Sequence, residues 1–399
     1  GFWTVPIKSI IIIFIIAGSS FSYNINAQNS FTLDSCKKLA LDNNFTIKQS
    51  QMDVEAAHQL KKYAFTNYFP NINAGAAAIR FNDYLIKGNI PQMNLPVYDG
   101  NPANLLNPTQ FTYFPGMPLK LFDYMNFGYV MAVQPIFTGG RIYFGNKMAS
   151  TGYEIYQQKL QLLQEDVLVQ TEEYFWRIVA LEKKLNTLEN YISLVDTLQK
   201  DVNNAYKSGL VQRTDLLKVQ LKRNELDVNK IKLINGIRLL KQTLCQHIGI
   251  KYDSSFTLQY DTITIDFPNF YDFDLNYIVE NRKEYKMLEQ SVKVEELQKK
   301  LVYGEYLPQL AIGAAGIYND MMDKTTTNGL IFATLSVPIT DWWGGSHKIR
   351  ESSAKVAAAQ YKLMQTSQLL NLQINKALND LYENYYQIQV ASKSVEQSK

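Results

Sequence analysis

The longest regular pattern in the sequence is a series of apolar residues at steps of three and four, running without a proline from Tyr153 to Tyr206. The series comprises Tyr156, Leu160, Leu163, Val167, Tyr174, Ile178, Leu181, Leu185, Leu188, Ile192, Val195, Leu198, Val202 and Tyr206. This spacing is close to the 3.5-residue repeat of a coiled-coil seam. It predicts a single helix about 80 Å long.

A second helix is predicted from about Thr214 to Gln246, returning antiparallel to the first after Gly209. Its apolar stripe consists of Leu217, Leu221, Val228 and Ile231. Together the two helices form a predicted helical hairpin over about 141–246.

Two distant segments of the chain repeat one another. Residues 43–78 align without a gap with residues 281–316, at an offset of 238, so that Pro70 matches Pro308. Farther along, Gly139-Gly140 matches Gly344-Gly345 at an offset of 205. The match is too long for chance turn chemistry, and it indicates an internal duplication.

The two offsets differ by 33 residues, so the first copy carries an insertion of that size. Six of the chain's 12 prolines lie in it: Pro91, Pro96, Pro102, Pro108, Pro115 and Pro118. Proline lacks an amide donor and resists both helix and central strand. The insertion is therefore predicted to be a surface loop over 82–126.

Each copy is predicted to run as helix, proline hinge, strand, loop, strand, glycine hinge and long helix. The prolines Pro70 and Pro308 end the first helices, because proline disfavours the helical conformation of the residue before it. The strands are expected at about 71–81 and 127–135 in the first copy and at about 309–318 and 330–338 in the second. These elements define a mixed α/β chain.

The N-terminal residues 1–27 are predicted to be a secretory signal peptide, because Lys8 precedes an unbroken apolar run that gives way to small and polar residues. The first repeat then covers 28–250, a linker 251–269 and the second repeat 270–399. After the signal, no apolar run approaches the roughly 20 residues of a membrane helix. Contact with a membrane would have to be made by strands.

Composition and charge exclude several classes of function. The net charge of +3 arises from 40 basic and 37 acidic residues without a block of one sign, so nucleic acid is not an expected partner. The histidines His58, His247 and His347 have no metal-ligand spacing, and no catalytic or phosphate-binding motif is present. The sequence predicts neither an enzyme nor a bound metal or cofactor.

The two cysteines, Cys36 and Cys245, lie in a chain that is predicted to be exported. A disulfide is chemically permitted in an oxidising compartment, but two isolated cysteines do not define a framework. Both a bridge and a pair of free thiols remain open.

The duplicated order of these elements resembles the TolC family of outer-membrane efflux proteins. The resemblance is carried by FTLDSCKKLALDNNFTIK (31–48), the two aromatic-x-Pro hinges, the two Gly-Gly hinges and YKSGLVQRTDLLKVQ (206–220). It covers essentially the whole chain from Phe31 onward.

The resemblance implies a homotrimer in which each copy contributes four strands to one 12-stranded β-barrel in the outer membrane. The helices would continue as a tunnel through the periplasm. The implied partners are outer-membrane lipid, a periplasmic adaptor (membrane fusion) protein and an inner-membrane transporter. The implied role is a passive duct of a tripartite efflux or type I secretion system.

The resemblance also assigns roles to particular residues. Gly209, Leu210 and Val211 would form the tip that docks the adaptor, and Thr214 with Asp215 would belong to the gate. A purely structural interpretation is also open, in which Gly209 ends one helix, Thr214 caps the next and the charge of Asp215 interacts favourably with the positive N-terminal end of that helix.

The hinges implied by the resemblance are Pro70, Gly139, Gly140, Pro308, Gly344 and Gly345. Trp342 and Trp343, beside the last pair, fit an interfacial aromatic girdle or, alternatively, ordinary buried tryptophans.

The second copy departs from the family pattern, because the chain stops at Lys399 before a second hairpin tip and return helix. The resemblance therefore leads us to expect a longer natural protein. The alternative function is a soluble or secreted coiled-coil structural protein without transport activity.

Overall fold

The structure, a computed structural model, describes residues 30–261, 274–322 and 324–397. The predicted signal peptide, residues 1–27, and residues 262–269 of the predicted linker lie outside the described residues. The described chain divides into two compact units. The hairpin unit takes residues 30–45 and 166–261, and the sheet unit takes the remaining described residues.

Helices make up most of the described chain. They are α1 (Leu33–Asn43), α2 (Phe45–Thr66), α3 (Arg141–Lys207), α4 (Arg213–His247), α5 (Leu275–Asn281), α6 (Lys283–Glu305) and α7 (Trp342–Gln397). In the ranges that the structure describes, none of these helices combines the length and the apolar character needed to cross a bilayer.

The strands belong to four small sheets. They are β1 (Ser30–Phe31), β2 (Asn71–Arg80), β3 (Ile86–Ile90), β4 (Met93–Val97), β5 (Gln110–Phe114), β6 (Met117–Leu121), β7 (Tyr124–Phe137), β8 (Thr257–Leu258), β9 (Gln309–Met321) and β10 (Lys324–Ser336). The largest sheet is antiparallel, with the order β10-β9-β7-β2.

In the hairpin unit, α1 packs beside the end of α4. The hydroxyl of Thr32 caps α1 by accepting from the Ser35 amide at 3.3 Å. Beyond its other end, the Asn44 side chain donates to the His247 carbonyl oxygen at 2.8 Å. The strand β1 pairs in parallel with β8, so that Phe31 stacks on Phe256 with ring centroids 4.9 Å apart.

The helices α3 and α4 are joined by an apolar cluster and by ion pairs. The buried side chains of Ile192 and Val195 in α3 pack in one cluster with that of Leu226 in α4. Two ion pairs at 2.8 Å lie on one side of this contact, Lys230 with Glu189 and Lys241 with Glu182. Of the predicted seam of α3, Leu188, Ile192 and Val195 therefore pack in this cluster, whereas Leu198 and Tyr206 are exposed.

The predicted apolar stripe of α4 faces elsewhere. Its members Leu217, Leu221, Val228 and Ile231 are all exposed. The buried apolar positions of α4 are instead Leu226, Ile237 and Leu244. Consequently α4 presents one apolar side to its own hairpin unit and leaves another uncovered.

The predicted loop over 82–126 is wrong, because this segment contains four strands. β3 pairs with β6 and β4 with β5, which makes two antiparallel ribbons in succession. Pro96 lies in β4 and Pro118 in β6. Proline is excluded from central strands, but every strand of a two-stranded ribbon is an edge strand and tolerates it.

The two cysteines lie in the hairpin unit as free, buried thiols. Burial, and to a lesser extent the charge of Cys245, raises the pKa of the Cys36 thiol to about 11. Burial also raises the pKa of Cys245 to about 11, although Lys241 acts in the opposite direction.

We expect both thiols to resist alkylation in the folded protein. At pH 8 a thiol with a pKa of about 11 is ionised in about one molecule in a thousand, and the thiolate is the form that reacts with iodoacetamide. Labelling at pH 8 should be at least tenfold slower than in urea, as followed by intact mass. Rapid labelling of the folded protein would contradict the burial, and no labelling in urea before reduction would show a bridge.

Candidate functional site

Two prolines occupy the junctions between helix and strand in the sheet unit. Pro70 lies between the end of α2 at Thr66 and the start of β2 at Asn71. Pro308 lies between the end of α6 at Glu305 and the start of β9. In both copies the chain changes from helix to strand within about four residues of the proline.

Gly139 and Gly140 connect β7 to α3 with backbone angles that favour glycine. Their φ values are +66° and +79°, in the left-handed region. A side chain at Gly139 would also lie 2.3 Å from the carbonyl oxygen of Gly304, which belongs to α6. The strand-to-helix connection is thus held close to α6, where only glycine fits.

The second glycine pair is placed differently. Gly344 and Gly345 lie in the first turn of α7, which begins at Trp342, and neither has a positive φ. The turn from β10 into α7 is made by residues 337–341 instead. The two copies therefore share the sequence motif without sharing its backbone geometry.

Exposed aromatic side chains gather at these junctions. Phe65 lies 5.6 Å from both Tyr68 and Phe69 by ring centroids. The indole nitrogen of Trp342 donates to the Tyr306 carbonyl oxygen at 2.9 Å, and Trp343 is 83% exposed. Neither tryptophan is buried, so the girdle interpretation fits the structure better than ordinary core tryptophans do.

The four-stranded sheet has one face that is apolar and exposed. Residues directly opposite one another in the register share a face, and the row Ile72, Ala132, Ala314 and Ile331 lies on this one. Along the middle of the strands this apolar sheet face is made by Ile72, Ala74, Val130, Ala132, Ile312, Ala314, Ile331, Ala333 and Leu335, whereas its polar members lie toward the ends of the strands and are Arg80, Asn126, Gln134, Asp320, Thr325 and Thr327. Ile72 is 69% exposed and Ile331 is 89% exposed. A sheet in water would not keep such a face uncovered.

The opposite face, here called the mixed sheet face, carries many amides and hydroxyls. Its polar members are Asn71, Asn73, Gln309, Asn319, Lys324, Thr326, Asn328, Thr334 and Ser336. Two aromatic rings on this face cover glycines of the neighbouring strand, Tyr129 over Gly75 and Phe332 over Gly313. Strands with one lipid-compatible and one polar face are typical of membrane β-barrels.

The sheet has two open edges. Within the described residues, β2 pairs only with β7 and β10 pairs only with β9. Each outer strand therefore presents a row of backbone donors and acceptors that no other described strand of the chain uses. The strands β7, β9 and β10 have 14, 13 and 13 residues, longer than the roughly 9–11 residues that span a bilayer at a tilt.

The turn between α3 and α4 holds the residues assigned to the tip. Gly209 has φ +76°, and its amide donates to the Tyr206 carbonyl oxygen at 3.0 Å. The Leu210 amide donates to the Ala205 carbonyl oxygen at 2.9 Å, which completes a Schellman motif. This motif ends α3 and leaves Leu210 at its outer end, 79% exposed.

The expected helix cap at Thr214 is wrong. Helix α4 begins at Arg213, and the residue before it is Gln212, whose side chain makes no capping hydrogen bond among the described residues. Thr214 is the second residue of the helix. Asp215 does lie in the first turn, where it pairs with Lys218 at 3.2 Å.

The three histidines lie in separate surroundings. His247 is buried, and its Nε2 lies 3.2 Å from the Val167 carbonyl oxygen, while its ring meets Tyr174 edge to face. His58 lies 3.7 Å from Glu55. His347 belongs to α7. The buried role of His247 has no local signal in the sequence, because it depends on α3 and α4 being neighbours.

Solved structures share this fold across most of their length. The match with the outer-membrane protein VceC from Vibrio cholerae covers 92% of this chain and 81% of VceC, with 11% identity and a TM-score of 0.67. The match with the outer-membrane channel CmeC from Campylobacter jejuni covers 90% of this chain and 75% of CmeC, with 13% identity and a TM-score of 0.63. The match with the open state of the channel MtrE from Neisseria gonorrhoeae covers 91% of this chain and 77% of MtrE, with 12% identity and a TM-score of 0.59.

No protein-family profile and no curated protein sequence matches the chain. At this level of identity the structural likeness concerns the fold. The chain therefore has the fold of these outer-membrane channels, as the resemblance to the TolC family predicts.

Glycine-to-alanine variants should separate the three kinds of glycine in this site. Gly139→Ala should lower the unfolding temperature most, because it combines a positive φ with a backbone clash. Gly209→Ala should cost about 1 kcal/mol, since its φ is positive but the space around it is open in the described chain.

Gly344→Ala is the matched control, because it lies in a helix with open space around it, and alanine favours helix by about 1 kcal/mol. Unfolding would be followed by tryptophan fluorescence. Equal losses for all three variants would contradict the geometry described here.

Proposed function

We propose that the chain belongs to an outer-membrane channel of a tripartite efflux or type I secretion system. Three copies would form a passive duct, with a 12-stranded barrel in the outer membrane and helices extending into the periplasm. The single observation that carries this proposal is the four-stranded sheet, which has an exposed apolar face and two open edges.

The open edges require other copies in a membrane. An unpaired backbone group in hydrocarbon costs several kcal/mol, so a sheet with two open edges is not tolerated there. In the order β10-β9-β7-β2, the outer strands run antiparallel to one another. The β10 strand of one copy can therefore pair antiparallel with β2 of the next, and three copies of four strands close the ring.

The faces of the sheet support the same arrangement. Lipid would cover the apolar sheet face, and the amide-rich mixed sheet face would line the duct. The exposed aromatic residues at the junctions, including Trp343, would lie at the interface between lipid and periplasm. The exposed stripe of α4 would pack against helices of neighbouring copies in the tunnel.

The turn between α3 and α4 is proposed as the docking tip for a periplasmic adaptor protein. Gly209 shapes the turn, and Leu210 and Val211 supply apolar side chains there. Thr214 and Asp215 are proposed for the gate, where polar contacts would hold the entrance closed. An inner-membrane transporter would supply energy and choose the substrate, because the duct itself is passive.

The alternative function is that of a soluble coiled-coil protein, and the exposed apolar face of the sheet argues against it. The α3–α4 hairpin alone fits both functions. A soluble protein would have no means of covering the apolar face that runs through Ile72, Val130 and Ile331.

Arginine substitutions on adjacent residues of β10 test the membrane assignment. Ile331→Arg places a charge on the apolar sheet face and should cost about 2–4 kcal/mol in lipid. Leu330→Arg is the matched control, because Leu330 lies on the mixed sheet face. We expect the first variant to lose most heat-resistant trimer from the outer-membrane fraction and the second to retain it.

The measurement is detergent extraction followed by light scattering to determine the number of copies. Recovery of the unmodified protein as a monomer without detergent would reject the proposed function. Equal amounts of trimer from the two arginine variants would also reject it, because both positions would then be exposed to water and not one of them to lipid.

Aspartate substitutions at the tip test the docking assignment. Leu210→Asp together with Val211→Asp should abolish transport with normal trimer assembly, because the proposed apolar contact with the adaptor is lost while the strands that pair between copies are unchanged. Transport is measured with a dye or antibiotic chosen because deletion of the gene raises its accumulation in the parent bacterium.

The control variant is Gln212→Asp, which adds charge to the same turn and supplies a favourable cap for α4. This variant should transport normally. Unchanged transport in the double variant, or loss of its trimer, would reject the docking role of Leu210 and Val211.

A further inference from the structure

The inserted segment of the first copy forms a ribbon that rises from the edge of the sheet. The insertion ribbon consists of β3–β6 followed by β4–β5, covering 86–121. It is tied to the ends of β2 and β7 by two backbone hydrogen bonds: the Phe81 amide donates to Asp123 at 2.9 Å, and the Leu85 amide to Phe122 at 3.0 Å. Its position is therefore set by the edge strand β2.

One face of the β3–β6 part is apolar. The register pairs Ile86 with Leu121, Gly88 with Leu119, and Ile90 with Met117, and directly opposite residues share a face. Ile86 and Met117 are each 46% exposed. We call these six positions the apolar ribbon face.

The other face of the same part is polar, and its charges are compensated locally. Lys87 lies directly opposite Lys120, an unfavourable pair on its own. Lys87, however, pairs with Asp83, and the ammonium of Lys120 lies 5.6 Å from the centroid of the Tyr84 ring. The charges of the polar face are thus compensated by residues just before the ribbon, whereas the apolar ribbon face is uncovered.

A two-stranded ribbon needs a cover on its apolar side. An isolated pair of strands is marginally stable in water, and stability normally requires a third strand or a packed apolar face. The exposure of Ile86, Met117 and Leu119 shows that the described chain does not supply that cover.

The proposed trimer limits what can cover the ribbon. Beside β2 the neighbouring copy would place β10, which is joined to β9 through residues 322 and 323 alone. A connection of two residues is too short to extend past the rim of the sheet. Among the strand-connecting segments that the structure describes, the insertion ribbons are the ones that extend past the rim, and the three ribbons of the trimer surround one axis.

The dimensions permit the three ribbons to meet. Twelve strands spaced about 4.8 Å apart and tilted about 40° enclose a barrel with a radius of about 12 Å. A five-residue strand such as β3 is about 17 Å long. Each β3–β6 ribbon is therefore long enough to reach from the barrel wall to the axis.

We infer that the apolar ribbon faces of the three copies pack against one another over the outer mouth of the duct. The three ribbons form a cap that narrows the exit, with Lys87 and Lys120 directed to water. This inference rests on the proposed trimeric channel. It assigns the insertion a role at the exit of the duct.

Cysteine crosslinking on two adjacent residues of β6 tests the cap. Leu119→Cys lies on the apolar ribbon face and Lys120→Cys on the polar face, in the same strand. The assembled protein in detergent is treated with a short bis-maleimide and resolved on a denaturing gel. We expect a covalent dimer with Leu119→Cys, at least tenfold more than with Lys120→Cys.

The unmodified protein controls for Cys36 and Cys245, which are buried and should not crosslink. If Leu119→Cys does not assemble, Met117→Cys on the same face replaces it. A trimer in which both faces crosslink equally, or in which neither apolar position crosslinks, would overturn the cap and leave the channel proposal standing. Absence of any trimer in the unmodified protein would instead reject the channel proposal.

Conductance gives an independent readout in planar lipid bilayers, in a background that carries Thr214→Ala and Asp215→Ala to remove the proposed gate contacts, so that the exit limits the current; the unmodified channel is here the one with these two changes only. Leu119→Asp should open the cap and raise single-channel conductance at least twofold, whereas Lys120→Asp should leave it within about a third of the unmodified value. Equal conductance of Leu119→Asp and the unmodified channel would overturn the cap. Apolar ribbon faces that are shielded only when lipid vesicles are added, without crosslinks, would point to a lipid surface and would also reject it.

Discussion

The unused backbone hydrogen bonds along β2 and β10 are the constraint on which the proposed assembly depends. In water these donors and acceptors would be solvated, but in hydrocarbon each unpaired group costs several kcal/mol. In the proposed channel this cost would force the edges of one copy onto those of another until the ring closes. The apolar sheet face fits the same arrangement, since the outside of a closed ring in a membrane contacts lipid.

The same incompleteness recurs in other parts of the chain. The helix α4 buries Leu226 and Leu244 in its own unit while Leu221 and Ile231 remain exposed. The insertion ribbon satisfies Lys87 and Lys120 locally but leaves Ile86 and Met117 uncovered. In both cases the described chain leaves apolar surface uncovered, as is expected of an obligate oligomer such as the proposed trimer.

Local signals in the sequence identified the elements, whereas features set by register or distant packing were missed. Pro70 and Gly209 act on their own backbone, so the junction and the end of α3 were both placed correctly. Leu330 and Ile331 are adjacent apolar residues on opposite faces, and only the pairing with β9 shows which one faces lipid. Prolines wrongly suggested a loop in place of the ribbon, and Thr214 was taken as a cap although the helix begins one residue earlier.

The pairing of β7 with β9 has a consequence for how the protein is made. In the register, Asn126 lies opposite Asp320, and the two residues are 194 positions apart. The β2–β7 hairpin is complete long before β9 has been synthesised, so its apolar face and its β7 edge must wait for a partner. If the proposed channel emerges into the periplasm in the same order, the unpartnered strands would be open to aggregation there, and its biogenesis should depend on chaperones that keep such strands apart.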